Sequence, residues 1–256
     1  MEQYRQCRKC VNKSIPPNKP PLPKGYYYKR LERDFNFVNT SSAYWLAEEC
    51  ECHKKWSKNK ELLKKFEKSG FQSNLFDYKI TSYLGNKSDK NIVRLTRYWD
   101  RIKEPEIKAS FLYFYGKPGT QKTTVATYVG KKILEAGLSC KYIQMNDLVL
   151  KLHKANTDQG IKEEIEYLEN SHIIIIDEAF TNRSQWGGYF ENFIKTRIIK
   201  GKGIIFISNT PINMISQYYG DNIQDLIERE ILKRNSLFIF EDHWASLIGE
   251  IPEDLF

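Results

Sequence analysis

Five short apolar runs are spaced through the C-terminal two thirds of this 256-residue chain. They cover residues 111–115, 140–143, 173–176, 204–208 and 237–240. The third is four consecutive isoleucines. Segments with helical signals lie between them: one after residue 121 that Gly137 ends, then 147–154, 161–169, 189–200 and 223–232. Runs this short and this apolar read as strands buried on both faces. Strands alternating with helices fold as a parallel sheet with helices packed on each side. The fold class expected is α/β.

The turn after the first run reads Gly116-Lys117-Pro118-Gly119-Thr120-Gln121-Lys122-Thr123-Thr124. It follows the phosphate-loop pattern G-x-x-x-x-G-K-[ST], with Gln121 in place of the last glycine. A strand precedes it and a helix follows, so its backbone N–H groups gather at a helix N-terminus where phosphate binds. Residues 116–124 are therefore the candidate ATP contacts. Lys122 neutralises phosphate oxygens, and the Thr123 hydroxyl joins the Mg²⁺ ligands. Gln121, with a Cβ and a restricted backbone, narrows the cradle or slows turnover.

The isoleucine run ends in Asp177-Glu178, carboxylates at the rim where parallel sheets bind ligands. Asp177 suits Mg²⁺, and Glu178 suits the attacking water. The run at 204–208 ends in Asn209-Thr210-Pro211. Asn209 either reaches the γ-phosphate or caps the following turn. The helix at 223–232 carries Arg229, with Arg234 just beyond. These are surface salt-bridge formers or a finger reaching a neighbouring subunit's phosphate.

The N-terminal region differs. Cys7-x-x-Cys10 and Cys50-x-Cys52-His53 supply two close pairs of metal ligands. One tetrahedral Zn²⁺ would use Cys7, Cys10, Cys50 and either Cys52 or His53; otherwise these are plain thiols. Cys140 opens an apolar run and reads as buried. Five prolines between 15 and 23 exclude regular structure there. A helix is expected over 40–56 and another over 61–68, stopped by Gly70. Residues 71–90 read as irregular and polar. The expected domains are 1–70 and 71–256. Tyr26-Tyr27-Tyr28, Tyr44, Trp45 and Trp56 either anchor a protein interface or fill this module's own core.

Lysine and arginine outnumber the acids 40 to 32. Much of that excess lies in two basic stretches, before residue 31 and over 54–68. They are solvated surface or a face for a polyanion such as single-stranded DNA. No apolar run approaches the ~20 residues of a membrane span, and the first residues lack a secretory apolar region. A cytoplasmic protein without membrane partners is expected.

On the GKPGTQKT loop, IIIIDEA, the FISNT run and the Glu228-Arg229 helix, residues 75–256 resemble the AAA+ helicase loaders of the DnaC/DnaI type, including phage versions, and the related IstB-like ATPases. The resemblance implies a P-loop AAA+ ATPase using ATP and Mg²⁺, with Asp177 and Glu178 as Walker B, Asn209 as sensor 1 and Arg229 as the finger. It also implies an N-terminal cysteine module gripping a DnaB-type helicase, delivery of that helicase to single-stranded DNA, and self-association through the AAA+ domain. Where the family places a sensor-2 arginine, this chain has His243-Trp244-Ala245.

Overall fold

The structure is a computed structural model that describes residues 22–24, 26–31, 44–80, 83, 90–104, 110–182, 187–234 and 236–240. Cys7, Cys10, the prolines up to Pro21 and His243-Trp244-Ala245 lie outside them, as do the side chains of Tyr28, Tyr44, Trp45 and Arg234. The chain divides into two compact units, Met1–Lys64 and Lys65–Phe256.

In the first unit, strand β1 (Tyr26–Leu31) pairs antiparallel with β2 (Tyr44–Glu49), Tyr26 opposite Glu49 and Leu31 opposite Tyr44. Tyr27 donates its hydroxyl to Glu48 across the ladder at 3.1 Å. Helix α1 (Glu51–Lys68) follows after one residue. Within the helix expected over 40–56, Tyr44–Glu49 is thus a strand and the helix begins at Glu51. Cross-strand pairing with an aromatic-rich β1 overrides local helical propensity here. The helix expected over 61–68 is the end of α1.

In the second unit, α1 ends in a Schellman motif. Gly70 takes φ 89°, its N–H meets the Glu67 carbonyl, and the Phe71 N–H meets that of Phe66. The accompanying apolar contact is Phe71 stacked on Phe66, 4.7 Å between ring centres. Beyond it, Phe76 and Tyr83 are also buried, and helix α2 (Lys90–Asp100) follows. Among the described residues here, Phe71, Phe76 and Tyr83 are buried and Tyr78 is half-buried, so aromatics in a polar stretch join the packing.

The sheet is all parallel, in the order β4–β5–β6–β3–β7. Its strands are β3 (Phe111–Gly116), β4 (Cys140–Gln144), β5 (Ile173–Asp177), β6 (Gly203–Ser208) and β7 (Leu237–Phe240). Each expected strand is found, within one residue at either end. The crossovers are helices α3 (Lys122–Glu135), α4 (Met145–Lys154), α5 (Gln159–Asn170), α6 (Gly187–Ile199), the short α7 (Ser216–Tyr219) and α8 (Asp221–Arg234). All four isoleucines of β5 are fully buried. Strand β6 separates the phosphate-loop strand β3 from β5, so Gly116, Asp177 and Ser208 all end at one rim.

The opposite rim is closed by a buried cation. Arg197 of α6 is fully buried, and its guanidinium donates to the carbonyls of Leu168 (2.5 Å), Ser171 (3.2 Å) and Gly203 (2.6 Å). It thereby satisfies carbonyls at the C-terminus of α5 that the helix cannot. Burial lowers its pKa to about 9. Replacing Arg197 with Met removes the guanidinium from the Ser171 and Gly203 carbonyls and leaves the Leu168 carbonyl its bond from Ser171 Oγ at 2.7 Å, at a cost of ~3 kcal/mol. The melting temperature of R197M should fall by roughly 6–12 °C, measured by calorimetry, with R197K intermediate.

Candidate functional site

The cleft at the C-terminal rim encloses about 440 Å³ and is lined by Pro118–Thr124, Asp177, Glu178, Ile207, Ser208 and Asn209. Seven of the nine loop residues expected to contact ATP line it. Gly116 and Lys117 do not. Gly116 instead permits close packing of β7, since a Cβ there would sit 2.4 Å from the Phe240 carbonyl oxygen. Both residues still shape the site through their carbonyls.

Those carbonyls hold Lys122. Its Nζ donates to Gly116 O at 2.8 Å, Lys117 O at 2.5 Å and Thr120 Oγ1 at 3.2 Å. Thr120 Oγ1 in turn donates to Lys117 O at 2.9 Å. Burial pushes the Lys122 ammonium down to about 8, with the Asp177 charge acting the other way. Gln121, in the position where the motif has glycine, adopts the left-handed conformation that glycine favours, φ 62° and ψ 17°. The loop keeps its shape and carries the strain.

Asp177 is nearly buried and is met from three sides. Thr123 Oγ1 donates to Oδ2 at 2.9 Å, Tyr142 Oη donates to the same oxygen at 2.6 Å, and the Glu178 N–H donates to Oδ1 at 2.8 Å. A hydroxyl and a carboxylate this close form the hard oxygen donor pair that Mg²⁺ takes beside phosphate. Thr123 and Asp177 therefore fit the metal. The sequence reading missed Tyr142. Its signal is the strand order, which sets β4 beside β5; no spacing along the chain encodes it.

Glu178 is exposed at the cleft with φ 54°, and Phe180 follows at φ 60°. Ties to β6 hold this turn. The Ala179 N–H meets Ile207 O, Ser208 Oγ donates to Ala179 O, and Thr210 Oγ1 donates to Phe180 O. Asn209 is exposed on the cleft between these two tying residues. The Thr210 N–H goes to Ser208 Oγ at 3.0 Å, and the 3-10 turn Ile212–Met214 that follows has Pro211 at its N-cap and no side-chain cap bond. Arg229 does not line the cleft. It is 68% exposed, 3.8 Å from Glu230.

In the N-terminal unit, the Cys50 and Cys52 sulfurs lie 3.3 Å apart at the start of α1. His53 Nδ1 pairs instead with the Glu49 carboxylate at 2.5 Å, its ring near Tyr26 and Trp56. Among the described residues, no three His, Cys, Asp or Glu side chains converge as a metal site. Cys140 is buried, which pushes its thiol up to about 12.

The Lys122 environment has a measurable consequence. A phosphate beside this lysine raises its pKa, so above pH 8 nucleotide binding takes up a proton. Affinity then falls by up to about tenfold per pH unit. Calorimetric titrations at pH 8.5–9.0 in buffers of different ionisation enthalpy should register that uptake. Equal heats in all buffers would mean that Lys122 stays charged throughout.

The IstB-like ATP binding protein family model matches residues 63–234. An insertion sequence IS21 ATP-binding protein of Pseudomonas aeruginosa is 25% identical over 111 residues, 42% of this chain. That match spans 41% of the relative's own length. Among solved structures, DnaI aligns with a TM-score of 0.53 and 17% identity, over 67% of this chain and 94% of that one. The DnaC helicase loader aligns with a TM-score of 0.52 and 20% identity, over 63% and 94%. The replication initiator DnaA bound to AMPPCP and single-stranded DNA aligns with a TM-score of 0.55 and 13% identity, over 70% and 57%. At these identities the structural likeness establishes the fold. With a phosphate loop, a buried Asp177 and a parallel sheet in this strand order, the chain has a P-loop α/β fold and belongs to the IstB-like ATP binding protein family.

Proposed function

We propose that this protein is an ATP-dependent loader of a DnaB-type hexameric replicative helicase, delivering it to single-stranded DNA at replication initiation. The observation that carries the reading is the cysteine-bearing unit set in front of the ATPase core, with the Cys50 and Cys52 sulfurs 3.3 Å apart. The alignments that span 94% of DnaI and of the DnaC helicase loader support it. In this reading residues 1–70 grip the helicase and 71–256 form the ATPase domain. Zn²⁺ staples the first through Cys7, Cys10, Cys50 and Cys52. Two thiolates on one zinc, each ~2.3 Å from it, need their sulfurs close, as these are. The pairing of His53 with Glu49 favours Cys52 as the fourth ligand.

ATP would lie along residues 118–124, with Lys122 exchanging its carbonyl partners for phosphate oxygens. Thr123 and Asp177 would hold Mg²⁺, which neutralises phosphate charge. Glu178 orients the attacking water, and Asn209 senses the γ-phosphate from β6. Arg229, exposed on α8, would serve the nucleotide of a second copy.

A second reading, a transposition ATPase that remodels duplex DNA, is favoured by the family match and by the IS21 relative. The strained Gln121 favours a third, a nucleotide-binding helicase regulator with little turnover.

Size exclusion of the full chain with a DnaB-type helicase, with and without MgATP, tests the loader reading. Co-elution is expected, and its absence would overturn it. ATP-dependent oligomers on duplex DNA without helicase binding would select the transposition reading. Glu178→Gln should keep nucleotide binding and lose about 100-fold or more in turnover. A wild type with no turnover in the presence of helicase and single-stranded DNA would select the third. Metal analysis should find one zinc per chain, lost in the C50S/C52S double variant.

A further inference from the structure

Tyr142 is the donor to Asp177 that the phosphate-loop chemistry does not require. It stands on β4, the outer strand of the sheet, opposite Ile175 of β5. Its hydroxyl reaches Asp177 Oδ2 at 2.6 Å, the same oxygen that accepts from Thr123 at 2.9 Å. A hydroxyl that turns its lone pair to a metal redirects its proton, so the Thr123 bond to Oδ2 is one that metal binding competes with. The Tyr142 bond carries no such conflict.

The phenol is also held in place. The Tyr142 N–H donates to Ser69 O at 2.8 Å, and Lys141 Nζ donates to Lys68 O at 2.7 Å. The Phe71 ring lies 5.5 Å from the Tyr142 ring. Gly70 is pressed so close that a Cβ there would lie 2.5 Å from the Tyr142 carbonyl oxygen. The turn that ends α1 therefore lies along the open edge of β4 and clamps the residue that touches Asp177.

We infer that Tyr142 is a positioning residue for the metal site: it fixes the Asp177 carboxylate in the orientation that accepts Mg²⁺ with nucleotide, and the Ser69–Phe71 turn fixes Tyr142. This rests on the reading of Asp177 as the metal carboxylate. Donors behind a metal ligand orient it, and their removal costs about 10–100-fold in metal affinity. The metal site and the last turn of α1 are thus joined through one side chain.

The test measures binding of a fluorescent ATP analogue to the full chain in EDTA and across a Mg²⁺ titration, for wild type, Y142F and D177N. Y142F should bind the metal-free analogue as wild type does, while its Mg²⁺ midpoint rises about tenfold. F71L, which keeps the hydroxyl and loosens the clamp, should raise the midpoint by less. A Y142F midpoint equal to wild type, with D177N shifted, would overturn the role of Tyr142 and leave Asp177 as the metal carboxylate. Equal losses of affinity with and without Mg²⁺ would make Tyr142 a packing residue and overturn it too. An unshifted D177N would instead remove the metal assignment on which the inference rests.

Discussion

The carboxylate of Asp177 joins the parts of this site. A nearly buried charge is costly unless donors surround it. Here the donors come from three separate pieces of chain: the first turn of α3, the outer strand β4 and the Asp177–Glu178 peptide itself. The Thr123 and Tyr142 distances are not set locally. They follow from the sheet, where β6 spaces β3 from β5 by one strand and β4 lies against the other side of β5. The four buried isoleucines of β5 fix that spacing, because a close-packed interior does not let one strand slide past its neighbours.

Three non-glycine residues take left-handed backbone among the described residues, and all three belong to this rim: Gln121, Glu178 and Phe180. Each conformation costs about 1–2 kcal/mol and persists only where surrounding contacts dictate it. For the Glu178–Phe180 turn those contacts are visible. Phe180 is fully buried among Tyr113, Phe206 and Tyr219, and Ser208 and Thr210 bind the turn's carbonyls. Tyr113 closes the circuit with a hydrogen bond to Thr210 O at 2.7 Å. The buried aromatic holds the turn in a shape that leaves Glu178 exposed to the cleft. Asn209 lies between the two residues that tie the turn, so displacement of Asn209 bears directly on Glu178.

The core of the second unit was legible because its signals are local and strong. Buried parallel strands need uninterrupted apolar runs, and the phosphate loop needs its residues in sequence order. Gly70 and Gly137 marked helix ends for a backbone reason, each taking a positive φ. Other features were hidden for the opposite reason. Strand β2 passes for a helix by its local composition and is defined by its partner β1, whose last residue, Leu31, pairs with Tyr44, the first of β2. Helix α2 follows a polar stretch that suggests no element at all. Tyr142 reads as an ordinary strand residue, and only the pairing of β4 with β5 brings its hydroxyl to Asp177.

Lys122 explains why the loop holds its shape with its own groups as partners. Its ammonium is bonded to two loop carbonyls and a hydroxyl, so nucleotide does not meet a bare charge. Binding is an exchange, in which phosphate oxygens replace neutral acceptors. The ammonium makes charge-assisted bonds to either acceptor, and a phosphate oxygen adds the attraction of its own charge, which a carbonyl lacks. The exchange therefore favours an acceptor that carries charge and disfavours a neutral one of the same shape. The burial that depresses the Lys122 pKa acts in the same direction, since an anion restores the ammonium that the apolar surroundings disfavour. Selectivity for a polyphosphate is thus present in the resting loop itself.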